Sequence, residues 1–325
     1  MEKRVWMAVV AAVLMVFGMA GLCGVPSASA AETTRLSIVT AGTGGVFYVY
    51  GGAVASVVSK NVPGLNMTAE STGGSVENMK ILAKKQADLA TTSADVLYQA
   101  FHDFKNSKHF KEKVDVRALF NMYSQPHHLM ALAKSDVKTV KDLKGKRVVV
   151  GSPGSGTEVK TKMLLQALGI TYKDFTPEFL SFTEGAEALQ DGTVAAAFLG
   201  VSYPAPAVVS LALTTPIRLI PFSDAEIATI SKAYPFLSKS IIPGKTYKGV
   251  DQDTQTISVQ TLVVCRADLS DDIAYKIVKT VFDRKKDLDQ IHSAFRETTL
   301  EDATSTIVPL HPGAVKFYKE KKIIK

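Results

Sequence analysis

Short apolar runs rich in β-branched residues alternate along the chain with stretches whose apolar positions recur every three or four residues. The runs read as strands and the stretches as helices, with Gly, Ser and Thr at the joints between them. In order, the pattern predicts a strand at 35–41, a helix at 50–60 and a strand at 66–70. A helix with Val76, Met79, Leu82 and Ala83 on one face, a strand at 87–91 and a helix at 95–101 follow. Further on, Val148, Val149 and Val150 form a strand, and Val159, Met163, Ala167 and Leu168 line a helix that Gly169 stops. Ser155 followed by Glu158 matches a capping box, which starts that helix near Gly156. Strands at 178–182, 194–199 and 217–221 come next, with a helix opened by a second such box, Ser181 and Glu184. Another helix has Ser270 as its cap, Asp271 and Asp272 in its first turn, and Ile273, Ile277 and Val281 on one face. Strand and helix in alternation is the mark of an α/β fold.

Three of the joints share one composition. Gly42-Thr43-Gly44-Gly45, Ser71-Thr72-Gly73-Gly74-Ser75 and the stretch from Gly151 through Ser152, Gly154, Ser155 and Gly156 to Thr157 each carry a strand into a helix. A residue without a Cβ lets a ligand approach the backbone closely, and the first amides of a helix favour an anion. Taken singly, each loop is equally well a tight βα turn. Three loops at the carboxyl ends of parallel strands, where open α/β sheets hold their ligands, favour a binding cleft. The hydroxyls on offer are those of Thr43, Thr72, Ser75, Ser152, Ser155 and Thr157, with no lysine or arginine among them. The expected ligand is a small anion held by neutral dipoles.

Known phosphate and nucleophile motifs do not fit. Gly151 and Gly156 have P-loop spacing, but Thr157-Glu158 stands where Lys-Ser/Thr is required. The loop at Gly42 has Phe47 where a dinucleotide fingerprint needs its third glycine. Ser155 lacks the flanking glycines of a nucleophile elbow. His127, His128, His292 and His311 are not spaced with Cys, Asp or Glu as metal ligands, so no metal or cofactor is expected. Asp95 reads as an acid at a helix N-terminus rather than as an acceptor for a ligand ammonium.

Residues 1–30 change the picture of where the protein works. Lys3 and Arg4 precede an apolar run at 5–22, and Ala28-Ser29-Ala30 forms a cleavage site, together the pattern of a secretory signal peptide. Of the two cysteines, Cys23 belongs to that leader, so Cys265 has no intramolecular partner in the mature chain. The formal charge of +7 is mild, and its lysines are not interleaved with aromatics as a nucleic-acid surface would be. The mature length suits two domains of ordinary size.

Four ordered motifs resemble one family: 40–48 (Thr-Ala-Gly-Thr-Gly-Gly-Val-Phe-Tyr), 71–78 (Ser-Thr-Gly-Gly-Ser-Val-Glu-Asn), 144–158 with the central loop, and Leu310-His-Pro-Gly-Ala314. They look like the TAXI-type solute-binding proteins, the extracytoplasmic receptors of a subset of TRAP transporters. The resemblance spans essentially the whole mature chain. It implies a type II periplasmic-binding-protein fold of two α/β lobes with hinge crossings, lobe 1 from 31–125 and 257–325 and lobe 2 from 126–256. It also implies a periplasmic, monomeric receptor that captures a small carboxylate, an amino acid such as glutamate or a dicarboxylate, for TRAP membrane subunits. Carried over by position, Thr43, Gly44, Gly45, Phe47 and Tyr48 would form one wall of the cleft. Thr72, Gly73, Gly74, Ser75 and Asn78 would form a second, with Ser93 beside it. Ser152, Gly154, Ser155, Gly156 and Thr157 would face them, and Tyr203 would lie near the cleft. Ser93 replaces a glutamine common in relatives and Phe47 a tyrosine, so the ligand is not transferable from any one of them. A periplasmic sensor for a membrane signalling protein is the alternative use of such a cleft. An enzyme lacks a nucleophile with a histidine at motif spacing.

Overall fold

The computed structural model describes residues 33–325. The signal peptide expected at 1–30 lies outside the described residues. The chain runs β1 (Thr34–Val39), α1 (Val46–Asn61), β2 (Leu65–Glu70), α2 (Ser75–Ala83), β3 (Leu89–Ser93), α3 (Ala94–Phe101) and β4 (Val116–Leu132). It continues through β5 (Arg147–Val149), α4 (Gly156–Ala167), β6 (Thr176–Glu178), α5 (Phe182–Gln190), β7 (Ala196–Gly200), α6 (Pro206–Thr214), β8 (Ile217–Leu219), α7 (Asp224–Ala233) and β9 (Ser238–Ile242). β10 (Thr254–Arg266), α8 (Asp271–Asp283), α9 (Lys285–Ile291) and α10 (Pro312–Glu320) complete it.

The strands order as β2-β1-β3-β10-β4-β7-β5-β6, with β8 added to β4 and β9 to β10. β1 pairs in parallel with β2 and β3, and β5 in parallel with β6 and β7, giving two parallel blocks. Between them β4 and β10 run antiparallel to each other. β4 is 17 residues long: its first part pairs with β10, and His127–Met130 pairs with β7. A strand that long serves both blocks, so the blocks are linked by backbone ladders rather than by loose linkers. Helices cover the faces, as parallel strands require. On one side Tyr50 stacks on Phe295 with centroids 3.9 Å apart, and its hydroxyl lies 2.8 Å from Thr298 Oγ1.

Most predicted elements are present, and the departures have local causes. α1 begins at Val46 rather than 50, directly after Gly45 in an extended conformation. The strand predicted at 178–182 is displaced: β6 ends at Glu178 and Phe182 already opens α5. The Ser181–Glu184 box that caps α5 is fully formed, and once Ser181 is a cap the chain can no longer extend β6. At α4 only half of the predicted box forms. Ser155 Oγ accepts from the Glu158 amide at 3.1 Å, but the Ser155 amide donates to the Ser152 carbonyl and Glu158 accepts from the Tyr172 hydroxyl. Ser270 makes no side-chain cap bond.

Candidate functional site

The loops that leave β1, β2, β5 and β6 meet at the carboxyl ends of their strands and enclose a cavity of about 410 Å³. Thr43, Gly44, Gly45 and Phe47 line it from the first loop, and Thr72, Gly73, Gly74 and Ser75 from the second. Ser152, Ser155, Gly156 and Thr157 line it from the third. Four helices begin on this cavity: Val46 and Phe47 open α1, Ser75 opens α2, Gly156 and Thr157 open α4, and Phe182 and Thr183 open α5. The first amides of a helix have no intrahelical acceptor, and each helix start carries a partial positive charge.

Not every predicted donor is available to a ligand. In the second loop the Gly73 amide donates to Glu77 Oε2 at 2.6 Å and the Gly74 amide to Thr72 Oγ1 at 3.0 Å. The Val76 and Glu77 amides that open α2 both donate to the Gly154 carbonyl at 3.1 Å. Gly154 can aim its carbonyl there because its φ is +76°, a left-handed turn that glycine adopts without strain. Ser152 Oγ donates to the Gly73 carbonyl at 3.2 Å. The expectation that all three loops present free amides is therefore narrowed for the second, where the Gly73, Gly74, Val76 and Glu77 amides are taken up inside the protein. Ser155 Oγ accepts from Glu158, which leaves its hydroxyl proton free to donate. Thr157 Oγ1 accepts from the Gly200 amide at 3.2 Å.

Five predicted residues lie outside the cavity lining. Asn78 is buried and fully engaged: its amide nitrogen donates to the Thr40 carbonyl at 2.6 Å and the Thr91 carbonyl at 2.8 Å, and its oxygen accepts from Thr72. It ties β1, β3 and the second loop together. Ser93 is buried behind Ser75, whose Oγ accepts from its amide at 3.2 Å. Gly154 acts through its carbonyl, as above. Tyr48 is half-buried on α1, and Tyr203 is half-buried with its carbonyl accepting from Ser293 Oγ at 3.1 Å.

Other lining residues escaped the sequence reading. Gln125, on β4, is buried with its side-chain amide unpartnered among the described residues, and it lines the cavity. Ser181, Phe182, Thr183 and Glu184 form a fourth wall, with Gly200 and Val201 beside them. The Ser181–Glu184 box was a visible signal for that wall, since it repeats the strand-to-cap-to-helix pattern without glycine. Gln125 had no distinct signal in the sequence, since its strand also carries Arg117, Asn121, Ser124, His127 and His128. The Ser181 amide and hydroxyl hold the Glu184 carboxyl below its ordinary range, so it is ionised at neutral pH. Among the described residues no lysine or arginine lines the cavity. Lys160 is close behind it, fully buried and 3.6 Å from Asp95. Burial lowers its basicity, and the Asp95 carboxylate pushes the other way.

Among the described residues no three or more His, Cys, Asp or Glu are grouped to hold a metal, and no helix is long and apolar enough to cross a membrane. Burial pushes the Cys265 thiol far up, which makes it a poor nucleophile.

Two buried histidines set an acid limit. Burial pulls His127 well below its ordinary value and His128 down to about 4. Above the ordinary value of 6.5 both states of the protein leave them neutral. Below it the unfolded chain takes up protons that the folded chain refuses, so stability falls by up to about 1.4 kcal/mol per pH unit for each histidine. The fall attributable to His128 ends where the folded residue itself protonates, near pH 4. The urea midpoint is expected to drop from pH 7 to 4.5, and less steeply in His128→Asn; equal slopes in the two proteins would contradict this.

A family model described as the NMT1-like family matches residues 38–321. Among solved structures, the ligand-binding component of an ABC-type import system from Staphylococcus aureus, with zinc bound, is 13% identical, covers 90% of this chain and 93% of its own, and superposes with a TM-score of 0.52. A protein from Bordetella bronchiseptica RB50 is 14% identical over 90% of each chain, with a TM-score of 0.53. A putative L-cystine ABC transporter protein from Listeria monocytogenes is 12% identical over 82% of this chain and 99% of its own, with a TM-score of 0.49. At such identities the likeness is one of fold, and that fold is the type II periplasmic-binding-protein architecture expected from the sequence.

Proposed function

The chain belongs to the NMT1-like family, and on that premise we propose that it is an extracytoplasmic, non-catalytic receptor that captures a small carboxylate for a membrane permease. The observation that carries this reading is the cavity itself. It is bounded by loops of both parallel blocks, and the N-termini of α1 and α4, one from each block, open onto it. α1 has no acid in its first turn, and the one acid in the first turn of α4, Glu158, is held by Tyr172. Both helix ends are thus left to an outside anion. A ligand with a carboxylate at each end satisfies both, which favours a dicarboxylate or an acidic amino acid such as glutamate over a monocarboxylate.

In this reading Gly156 and Thr157 hold one carboxylate through their amides, with the Ser155 hydroxyl as a further donor. Val46 and Phe47 meet the other. Gln125 offers a donor and an acceptor at the strand that joins the blocks, and an ammonium on the ligand would find the ionised Glu184. The two lobes would be 31–125 with 257–325 and 126–256, closing about β4 and β10. A ligand that touches both shifts the population toward the closed form by its differential affinity. Export rests on the leader pattern at 1–30 and docking to TRAP membrane subunits on the resemblance of the four motifs, and the named import-system component of similar fold agrees with a transport role.

The test is a thermal-shift panel of L-glutamate, succinate, taurine and butyrate. A ligand present at a hundred times its dissociation constant stabilises by about 2.7 kcal/mol, a shift of about 5 °C for a protein of this size. Glutamate or succinate is expected to produce it and butyrate to give less. No shift with either dicarboxylate would contradict the assignment.

A further inference from the structure

Among the described residues, Lys160 on α4 and Asp95 on α3 are the ion-paired charges most completely withdrawn from water, their side chains 1% and 0% exposed. They belong to different blocks. α3 follows β3 in the β2-β1-β3 block, and α4 follows β5 in the β6-β5-β7 block. The separation of 3.6 Å is too long for a hydrogen bond, and the Lys160 ammonium and both Asp95 oxygens have no hydrogen-bond partner among the described residues. The pair lies against the cavity floor: a Cβ on Gly156 would sit 3.2 Å from Lys160 Nζ, 3.0 Å from Ser75 Oγ and 2.8 Å from Ser93 Oγ. Cavity residues Gly156 and Ser75 thus form the partition between the ligand space and the buried charges.

A lone charge buried at this depth is strongly unfavourable, whereas a pair is tolerated and two neutral residues of the same shape do as well or better. With the blocks apart, both charges would be hydrated. We propose that Lys160 and Asp95 are positioning residues of the ligand cavity: a matched pair that lets the two blocks meet, and so seats the α4 N-terminus against Ser75 and Ser93, as long as neither charge is left buried without the other. The pair does not touch the ligand, and it acts by permitting the closed arrangement. The proposal rests on the two-block cleft described under the proposed function, but it concerns how the cleft closes rather than what it binds.

The contact between the blocks carries its own reporter. The Val76 and Glu77 amides donate across the cleft to Gly154, and as the first amides of α2 they have no intrahelical acceptor when the blocks separate. Their hydrogen exchange, measured by NMR without added solute, reads closure directly, while the Asn78 amide, bonded within the second loop and α2 to Gly74, serves as control. Asp95→Asn and Lys160→Met are each expected to speed exchange at Val76 and Glu77 at least tenfold over wild type, leaving Asn78 unchanged. The double variant Asp95→Asn/Lys160→Met is expected to return to within threefold of wild type. Equal rates in wild type and both single variants would overturn the proposal, as would a double variant exchanging as fast as the single ones. If a single variant fails to fold, the double still decides: it should fold and show near wild-type protection, and an unfolded or unprotected double overturns the proposal. Because no solute is used, a failed carboxylate assignment leaves this result intact, and the reverse also holds.

Discussion

Gly156→Ala is expected to abolish solute capture, lowering affinity at least a hundredfold, about 3 kcal/mol. The added methyl has no room. It would lie 2.8 Å from Ser93 Oγ, 3.0 Å from Ser75 Oγ and 3.2 Å from Lys160 Nζ, all in a buried polar cluster that has nowhere to move. Relief requires the first turn of α4 to withdraw, and with it the Gly156 and Thr157 amides that the account assigns to the carboxylate. Titration calorimetry of the variant with whichever of L-glutamate and succinate stabilises wild type measures the loss. Gly52→Ala on α1, where a Cβ meets nothing within 4 Å, is the matched control and should bind normally. An affinity for Gly156→Ala within threefold of wild type would remove the α4 terminus from the site.

The largest stability effect is expected far from the cavity, at Gly313. A Cβ there would overlap the Asp271 carbonyl oxygen and lie 2.7 Å from the Tyr275 amide nitrogen and 3.0 Å from Ala274 Cβ, so the start of α10 and the first turn of α8 approach too closely for any side chain. The buried His311 fixes that approach. Its Nδ1 accepts from the Gly313 amide at 3.2 Å, and its Nε2 donates to the Leu269 carbonyl at 2.9 Å, while Pro312 supplies the first helical position. Gly313→Ala should cost about 3 kcal/mol or more, a large share of the 5–15 kcal/mol that holds a typical domain together. Urea denaturation and soluble yield both report it, and a loss below about 1 kcal/mol would mean that the helices slide apart without penalty. The Leu310–Ala314 motif, one of the four that carry the family resemblance, is thereby explained as a helix-packing device rather than a ligand contact.

The elements of this fold were legible wherever a local signal fixed them. The Ser181–Glu184 box, the three glycine loops and the apolar face of α8 are statements about neighbours in sequence, and the chain obeys them. What could not be read depends on pairs distant in sequence. Gly154 takes the Val76 and Glu77 amides of α2 across the cleft, so a loop with the composition of an anion cradle has few amides to spare there. Asn78 has the polarity of a ligand contact, yet two backbone carbonyls and Thr72 use all of its near partners. Lys160 lies one helical turn beyond the third loop, outside the loops whose composition marks the cleft. Its place beside Val159 and Leu164 in a helix with few exposed apolar positions was the available signal, and only the fold reveals that Asp95 awaits it.

In the proposed reading the cavity between the two blocks holds a small carboxylate. Native mass spectrometry of the mature protein purified from cells, compared with the same sample after denaturation, tests it most directly. A bound species in the mass range of an amino acid or dicarboxylate is expected, released on denaturation and identified as an organic acid. An empty protein that also fails to bind any amino acid or dicarboxylate in the thermal-shift panel would contradict it.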